Sequence, residues 1–209
     1  TAFGFEARPG MWKALVDRIA AYRRPVTIWA AGCAIGCEPY TLAMALHEAG
    51  ITKARILASD MNPERVKLAA DARYLACEVD VDVAMGRLPE SWRARYFEDA
   101  GEVEFTYLQG RYATVRPIAA VRDMVEYVGA LRMPDAPIPD VDVALMRNVW
   151  AHITPAERLK LYRRLYVALP ADGVVAFRLA YFDEVARHMP QLDHPCLFEI
   201  GRASCRERV

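Results

Sequence analysis

The chain has 209 residues, of which 54% are hydrophobic and 26% are charged, a composition that excludes a disordered, collagen-like or coiled-coil protein. Lysine plus arginine and aspartate plus glutamate both number 27, so the formal net charge is zero and no overall field attracts nucleic acid. No stretch is long and apolar enough for membrane insertion, and the N-terminus does not resemble a signal peptide. We therefore expect a cytoplasmic protein without nucleic-acid binding.

Two successive strand–turn–helix units are predicted in the first third of the chain. Hydrophobic periodicity predicts a helix over Gly10–Tyr22, a strand over Val26–Ala30, a helix over Glu38–Ala49, a strand over Ala54–Ser59 and a helix over Pro63–Arg73. Two βα units in a row indicate a parallel sheet with helices packed on it.

Aromatic and β-branched residues alternate over Val103–Val115 around Gln109-Gly110, which predicts an antiparallel hairpin that interrupts the βα pattern. The remaining predicted elements are helices over Pro89–Phe97 and Pro155–Leu169, the latter capped by Thr154, and strands over Met124–Val128, Val141–Met146, Gly173–Ala180 and Cys196–Ile200. The pattern predicts a doubly wound α/β fold with a mostly parallel sheet and a small antiparallel β insertion.

Domain boundaries follow from this pattern. We predict one domain over residues 1–200, with the β insertion at about 103–116. The arginine-rich residues 201–209 have the character of a non-native tail. The chain does not begin with methionine, and we expect it to be a fragment of a longer protein.

A glycine turn links the first predicted strand to the next helix. Gly32 and Gly36 are spaced as GxxxG, which matches neither the dinucleotide fingerprint nor the phosphate-binding loop. A ligand without phosphates fits such a turn, and Glu38 at the helix start can accept hydrogen bonds from an ammonium group. The alternative is a plain βα turn in which the glycines serve packing.

Asp60 closes the second predicted strand. Acidic residues at this place in doubly wound folds bind ribose hydroxyls. The alternative is an N-cap for the helix that begins at Pro63. The five cysteines form no CxxC pair and no zinc-like spacing, so we expect reduced thiols and no metal.

Three segments carry a resemblance to a known family: IWAAGCAIGCEPYTLAMAL, LASDMNPERVKLAA and DVALMRNVWAHI. Together they resemble the CheR-type chemotaxis receptor methyltransferases, which transfer a methyl group from S-adenosylmethionine to glutamate side chains of receptor helices. The resemblance extends from Thr1 to about Phe177. It implies a Rossmann-like methyltransferase fold, S-adenosylmethionine as cofactor with S-adenosylhomocysteine as product, and chemoreceptor cytoplasmic helices as partners. The predicted insertion corresponds to a small β-subdomain that grips receptor tails in the family.

The resemblance also implies which residues bind the cofactor. It places Glu38 near the methionine end, Asp60 on the ribose hydroxyls, and Arg147 and Asn148 at the mouth of the central strand. Leu131 stands at the adenine side, where the family has asparagine. The full predicted set is Thr1, Gly32, Gly36, Glu38, Asp60, Leu131, Arg147 and Asn148.

Several positions depart from the family pattern, most of them on the acceptor side. Phe5 replaces an arginine near the transferred methyl group, Cys37 replaces a glutamate, and His152 replaces a tyrosine, while the family motif GHSE is absent. A carboxylate acceptor needs no general base, whereas His152 can deprotonate a hydroxyl or amine. We therefore predict His152 as the catalytic residue. Two alternatives to glutamate methylation stay open: a different acceptor nucleophile, and a relative that binds cofactor or receptor without catalysis.

Overall fold

The strands of the described residues form two separate β-sheets in a computed structural model. The structure describes residues 10–76, 79, 88, 90–105, 110–133, 135–147, 149–177, 182–189, 191 and 197–199. The strands in chain order are β1 (Thr27–Ala31), β2 (Arg55–Asp60), β3 (Tyr74–Leu75), β4 (Phe97–Phe105), β5 (Gly110–Pro117), β6 (Val125–Ala130), β7 (Val143–Leu145), β8 (Val174–Ala176) and β9 (Leu197–Glu199). The helices are α1 (Met11–Ala21), α2 (Cys37–Glu48), α3 (Pro63–Asp71), α4 (Glu90–Tyr96), α5 (Ala119–Arg122), α6 (Pro155–Ala168) and α7 (Phe182–Val185), and a 3-10 helix spans Trp150–His152.

The larger sheet has six strands in the order β6-β2-β1-β7-β8-β9. The first five run parallel, and β9 pairs antiparallel with β8. Along the chain, the strands move outward from β1 to β6 and then return to the other side of β1 with β7. The predicted doubly wound, mostly parallel α/β fold is confirmed.

Apolar cores cover both faces of this sheet. Successive side chains of a strand point to opposite faces, so Ile28 belongs to the core formed with α1 and α2, whereas Trp29 belongs to the core formed with α6. A strand buried on both faces is apolar at nearly every position, which explains why β1 and β7 are short continuous apolar runs. No described helix is long and apolar enough to cross a bilayer.

Side-chain caps define where two helices begin. Thr154 and Glu157 form a capping box at the start of α6, in which the Glu157 carboxylate accepts the Thr154 N–H at 2.7 Å. At α3, the Asn62 side chain accepts two N–H groups of the first turn. The N-cap interpretation of Asp60 is therefore wrong, because Asn62 occupies that position.

The second sheet is antiparallel, with three strands in the order β3-β5-β4. It confirms the predicted insertion but is larger than the predicted hairpin, since β4 begins at Phe97, where a helix was expected to end, and since β3 lies far earlier in the chain. Cross-strand ion pairs join Glu98 to Arg116 at 2.8 Å and Glu102 to Arg111 at 3.0 Å. The predicted Gln109 turn lies outside the described residues.

Candidate functional site

The predicted site residues gather at the carboxyl ends of the central parallel strands. The glycine turn follows β1, Asp60 is the last residue of β2, Leu131 follows β6 and Arg147 follows β7 by two residues. The strand order reverses at β1. Crevices at such reversals, outside the carboxyl ends of the strands, are where open α/β sheets bind ligands.

Protein atoms fill the space beside both glycines of the turn. Gly32 has φ +71° and Gly36 has φ +90°, a region that favours glycine. A Cβ at Gly32 would lie 2.8 Å from Val149 Cγ2, and a Cβ at Gly36 would lie 2.7 Å from the Tyr127 hydroxyl oxygen. The backbone conformation and the nearby protein atoms therefore account for glycine at both positions, without any bound ligand.

Asp60 fixes the glycine turn from the neighbouring strand. Its side chain is buried at 6% exposure. Oδ2 accepts the Ala34 N–H at 2.9 Å, and Oδ1 accepts the Asn62 N–H at 3.0 Å. Ala34 has φ +49°, an unusual conformation for a residue with a Cβ. The Asp60 carboxylate therefore stabilises both a strained turn and the entry to α3.

Glu38 and Arg147 form a buried ion pair at the edge of this crevice. Arg147 Nη1 lies 3.4 Å from Glu38 Oε2, and each side chain is only 9% exposed. The Arg147 guanidinium carbon also lies 5.0 Å from the centre of a Trp12 ring, within cation–π range. The pair places one negative and one positive group side by side at low solvent exposure.

Leu131 lies next to Asp60, whereas His152 lies at the protein surface. The Leu131 N–H donates to the Asp60 main-chain carbonyl oxygen at 3.0 Å, so the backbones of the two residues are neighbours. His152 ends the 3-10 helix after β7, and its side chain is exposed. Thr1, Phe5 and Asn148 lie outside the described residues.

Two cysteines of the turn are free thiols. Cys33 and Cys37 are both buried, and burial, reinforced by the Asp60 carboxylate, raises the pKa of Cys33 to about 12. Cys33 is therefore a neutral thiol near pH 7. Among the described residues, no group of three His, Cys, Asp or Glu side chains could hold a metal ion.

Three tyrosines that the sequence analysis did not single out, Tyr40, Tyr74 and Tyr127, pack together beside the glycine turn. The Tyr74 hydroxyl donates to the Ile35 carbonyl at 2.7 Å, and Tyr40 packs edge-on against both Tyr74 and Tyr127 with ring centres 6.4 Å apart. Burial raises the pKa of each of these phenols. Tyr40 lies in the EPY segment of the motif, but Tyr74 and Tyr127 belong to distant strands and carry no local signal.

The family assignment joins this geometry to a known cofactor. A family model described as "CheR methyltransferase, SAM binding domain" matches residues 10–177. The chain belongs to this family. It is a methyltransferase domain that depends on S-adenosylmethionine (SAM), and every described site residue named above lies within the matched range.

Relatives of the chain include two chemotaxis methyltransferases. Chemotaxis protein methyltransferase 1 of Pseudomonas aeruginosa is 31% identical over 156 residues, which cover 70% of this chain and 51% of the relative. A chemotaxis protein methyltransferase of Vibrio parahaemolyticus is 26% identical over 168 residues, which cover 76% of this chain and 55% of the relative. An uncharacterized 104.1 kDa protein of Rhodobacter capsulatus is 29% identical over 159 residues, 74% of this chain and 15% of that protein. The chain thus spans about half the length of the two chemotaxis methyltransferases.

Solved structures of methyltransferases resemble the chain more distantly. Human N-acetylserotonin methyltransferase in complex with SAM has 13% identity and a TM-score of 0.44, with coverage of 79% of this chain and 32% of that chain. A TehB-like SAM-dependent methyltransferase from Corynebacterium glutamicum has 15% identity and a TM-score of 0.41, with coverage of 78% and 59%.

Proposed function

We propose that this domain transfers the methyl group of SAM to glutamate side chains of a chemoreceptor. The proposal that SAM binds here is supported by one observation: Asp60, Glu38 and Arg147 come together at the carboxyl ends of three neighbouring strands and in the turns that follow them. The names of the chemotaxis methyltransferase relatives support a chemoreceptor as the methyl acceptor.

The ribose of SAM fits the Asp60 carboxylate. An ionised carboxylate offers about four lone-pair sites and donates nothing. Backbone N–H groups of Ala34 and Asn62 use one site on each oxygen, so each oxygen keeps one site. Two vicinal hydroxyls can therefore both donate to Asp60, and the nearby Leu131 is assigned to the adenine side.

The methionine end of SAM fits the Glu38–Arg147 pair. That end carries an ammonium and a carboxylate, and the pair presents the two opposite charges next to each other. Charge-assisted bonds from a buried pair are stronger than those made in water. Gly32 and Gly36 shape the turn between this end and the ribose, while Thr1 and Asn148 are proposed to complete the pocket.

The reaction itself is an in-line displacement. SAM supplies an electrophilic methyl group on a sulfonium, and the protein contributes by positioning and by removal of water. A glutamate acceptor is already ionised at neutral pH and needs no base. The small antiparallel sheet is proposed to hold the receptor, as the family resemblance implies.

A second acceptor class is favoured by His152. Its side chain is exposed and lies five residues after Arg147, which itself follows β7, and imidazole is a suitable base for a hydroxyl or amine acceptor. In that case, His152 is a catalytic residue, and the product is an ether or a methylamine rather than an ester.

The chemistry of the methylated product separates these functions. The experiment incubates the full chain with SAM labelled in the methyl group and with a chemoreceptor cytoplasmic fragment, then treats the product with mild base. Label released as methanol supports a carboxyl methyl ester. Base-stable label that disappears in His152→Ala supports the second acceptor class, and cofactor binding without transfer to any protein supports the non-catalytic relative.

A further inference from the structure

Tyr74 belongs to the small sheet and contacts the cofactor turn at the same time. Its backbone is part of β3 and pairs with Val115 of β5. Its hydroxyl donates to the Ile35 carbonyl oxygen at 2.7 Å, although 39 positions separate the two residues. The Tyr74 side chain is only 5% exposed, so water has little access to replace this bond.

The Tyr74 hydrogen bond holds one end of a planar peptide whose other end is also held. The carbonyl of Ile35 and the N–H of Gly36 belong to the same rigid peptide unit. Tyr74 binds the carbonyl, and the Gly36 N–H donates to the Cys33 carbonyl at 2.9 Å. The peptide plane that leads into α2 is therefore fixed from two sides.

Orientation of this peptide determines where Glu38 lies. Gly36 precedes the first residue of α2 and has φ +90°, so rotation of its peptide plane would turn the first helical residues. Glu38 is the second residue of α2 and contacts Arg147. A chain of contacts thus leads from the small sheet through Tyr74 to the charged pair.

Packing around the Tyr74 ring keeps the hydroxyl in place. Tyr40 meets the ring edge-on at an interplanar angle of 84°, and a Cβ on Gly36 would come within 2.9 Å of the Tyr74 oxygen. Burial raises the pKa of Tyr74, so the hydroxyl remains a donor at neutral and mildly alkaline pH.

We propose that Tyr74 is a positioning residue through which the small antiparallel sheet controls the affinity of the cofactor pocket. This inference rests on the proposed placement of SAM at the glycine turn. In this proposal, the small sheet also affects cofactor binding, because any change in the β3–β5 pairing alters the hydrogen bond that Tyr74 donates to the Ile35 carbonyl.

The test compares Tyr74→Phe with Tyr22→Phe. Both changes remove a phenol hydroxyl that donates to a backbone carbonyl, and the Tyr22 bond to the Asp172 carbonyl is 2.6 Å long. Tyr22 and Asp172 lie at the amino ends of β1 and β8, opposite the cofactor turn. We expect Tyr74→Phe to lose more thermal stability than Tyr22→Phe, because the Tyr22 bond is exposed whereas Tyr74 is buried. Only Tyr74→Phe weakens S-adenosylhomocysteine binding, by about tenfold in calorimetry.

Hydrogen exchange in the ligand-free protein gives a readout that does not require cofactor. Tyr74→Phe is expected to speed exchange of the Gly36 amide about tenfold relative to the Tyr22→Phe control. Equal affinity and equal Gly36 exchange in the two variants would overturn the inference. If the folded wild-type chain fails to bind S-adenosylhomocysteine, the proposed function fails, whereas the exchange rates still decide whether Tyr74 supports the turn.

A double-variant comparison tests control by the small sheet. Thr114 of β5 lies opposite Leu75 of β3, and its hydroxyl donates to the Gly101 carbonyl of β4 at 2.8 Å, so Thr114 contacts both other strands of the small sheet. Thr114→Val is expected to weaken S-adenosylhomocysteine binding severalfold when Tyr74 is present and to add little in Tyr74→Phe. Fully additive effects, or no effect of Thr114→Val on binding, would overturn the control by the small sheet.

Discussion

The requirement for glycine in the turn after β1 has a physical cause inside the protein. At Gly36, a side chain meets the Tyr127 and Tyr74 hydroxyls, whereas at Gly50 nothing lies within 4 Å, although both residues have positive φ. Sequence spacing identified the turn correctly. It did not reveal the atoms that crowd the turn, because Tyr127 lies on a strand far along the chain.

Gly36→Ala is expected to destabilise the fold far more than Gly50→Ala. The backbone conformation costs each variant about 1 kcal/mol. Overlap with the tyrosine hydroxyls raises the cost of Gly36→Ala to about 3 kcal/mol. Urea unfolding of both variants measures the difference, and equal losses would contradict the crowding seen at Gly36.

The Glu38–Arg147 pair leads to a second prediction at the residue scale. Arg147→Met leaves the buried Glu38 carboxylate without its guanidinium neighbour and is expected to cost about 3 kcal/mol of unfolding free energy. The double variant Arg147→Met/Glu38→Gln removes both charges and is expected to cost less. Additive losses in denaturant unfolding would show that the two side chains are not coupled.

At the scale of single elements, explicit stop and start signals made the prediction accurate. Thr154 and Pro155 fixed the start of α6, and Pro63 fixed the start of α3. Two elements of the small sheet were misjudged. No glycine or proline separates α4 from β4 at Phe97, and the two residues of β3 are too few to show alternation.

The α6 capping box predicts a specific pH dependence. Hydrogen bonds from the Thr154 backbone N–H and hydroxyl lower the pKa of Glu157 below its usual range. A carboxyl whose pKa is lower in the folded state than in the unfolded state stabilises the fold at pH values above its unfolded-state pKa. This stabilisation is lost as the pH falls through the folded-state pKa. We expect Glu157→Ala to unfold more readily than wild type at pH 7. Denaturant midpoints should converge as the pH falls through the acidic range below about 4.5, and a constant difference would contradict the capping role.

For the whole molecule, the doubly wound, mostly parallel architecture followed from the order of βα units along the sequence, whereas the order of the strands in the sheet was first seen in the structure. Contacts between distant segments did not follow, because hydrogen bonds such as that between Tyr74 and Ile35 depend on the packed geometry of two sheets. The same holds for the Arg147 guanidinium over Trp12, which joins a strand end to a helix near the start of the described chain.

Cofactor binding should stabilise the molecule as a whole. S-adenosylhomocysteine at 100 times its Kd is expected to add about 2.7 kcal/mol to the free energy of unfolding. Asp60→Asn is expected to lower affinity about tenfold or more and should lose about half of this gain or more at the same ligand concentration. Thermal unfolding with and without ligand measures both values. Asp172→Asn, an exposed change at the other end of the sheet, serves as the control, and an undiminished gain in Asp60→Asn would contradict the ribose assignment.

The place of the small sheet in the chain allows this segment to change in length and sequence without disturbing the larger sheet. Its strands lie between α3 and α5, and among the residues described there none belongs to the larger sheet. The chain leaves after β2 and returns to β6, which pairs directly with β2, so both anchor points are neighbours. Since loop-closure entropy grows slowly with length, this segment can be lengthened or exchanged while the sheet register persists. The small sheet can therefore be replaced by other segments, provided that each replacement keeps a tyrosine hydroxyl that donates to the Ile35 carbonyl.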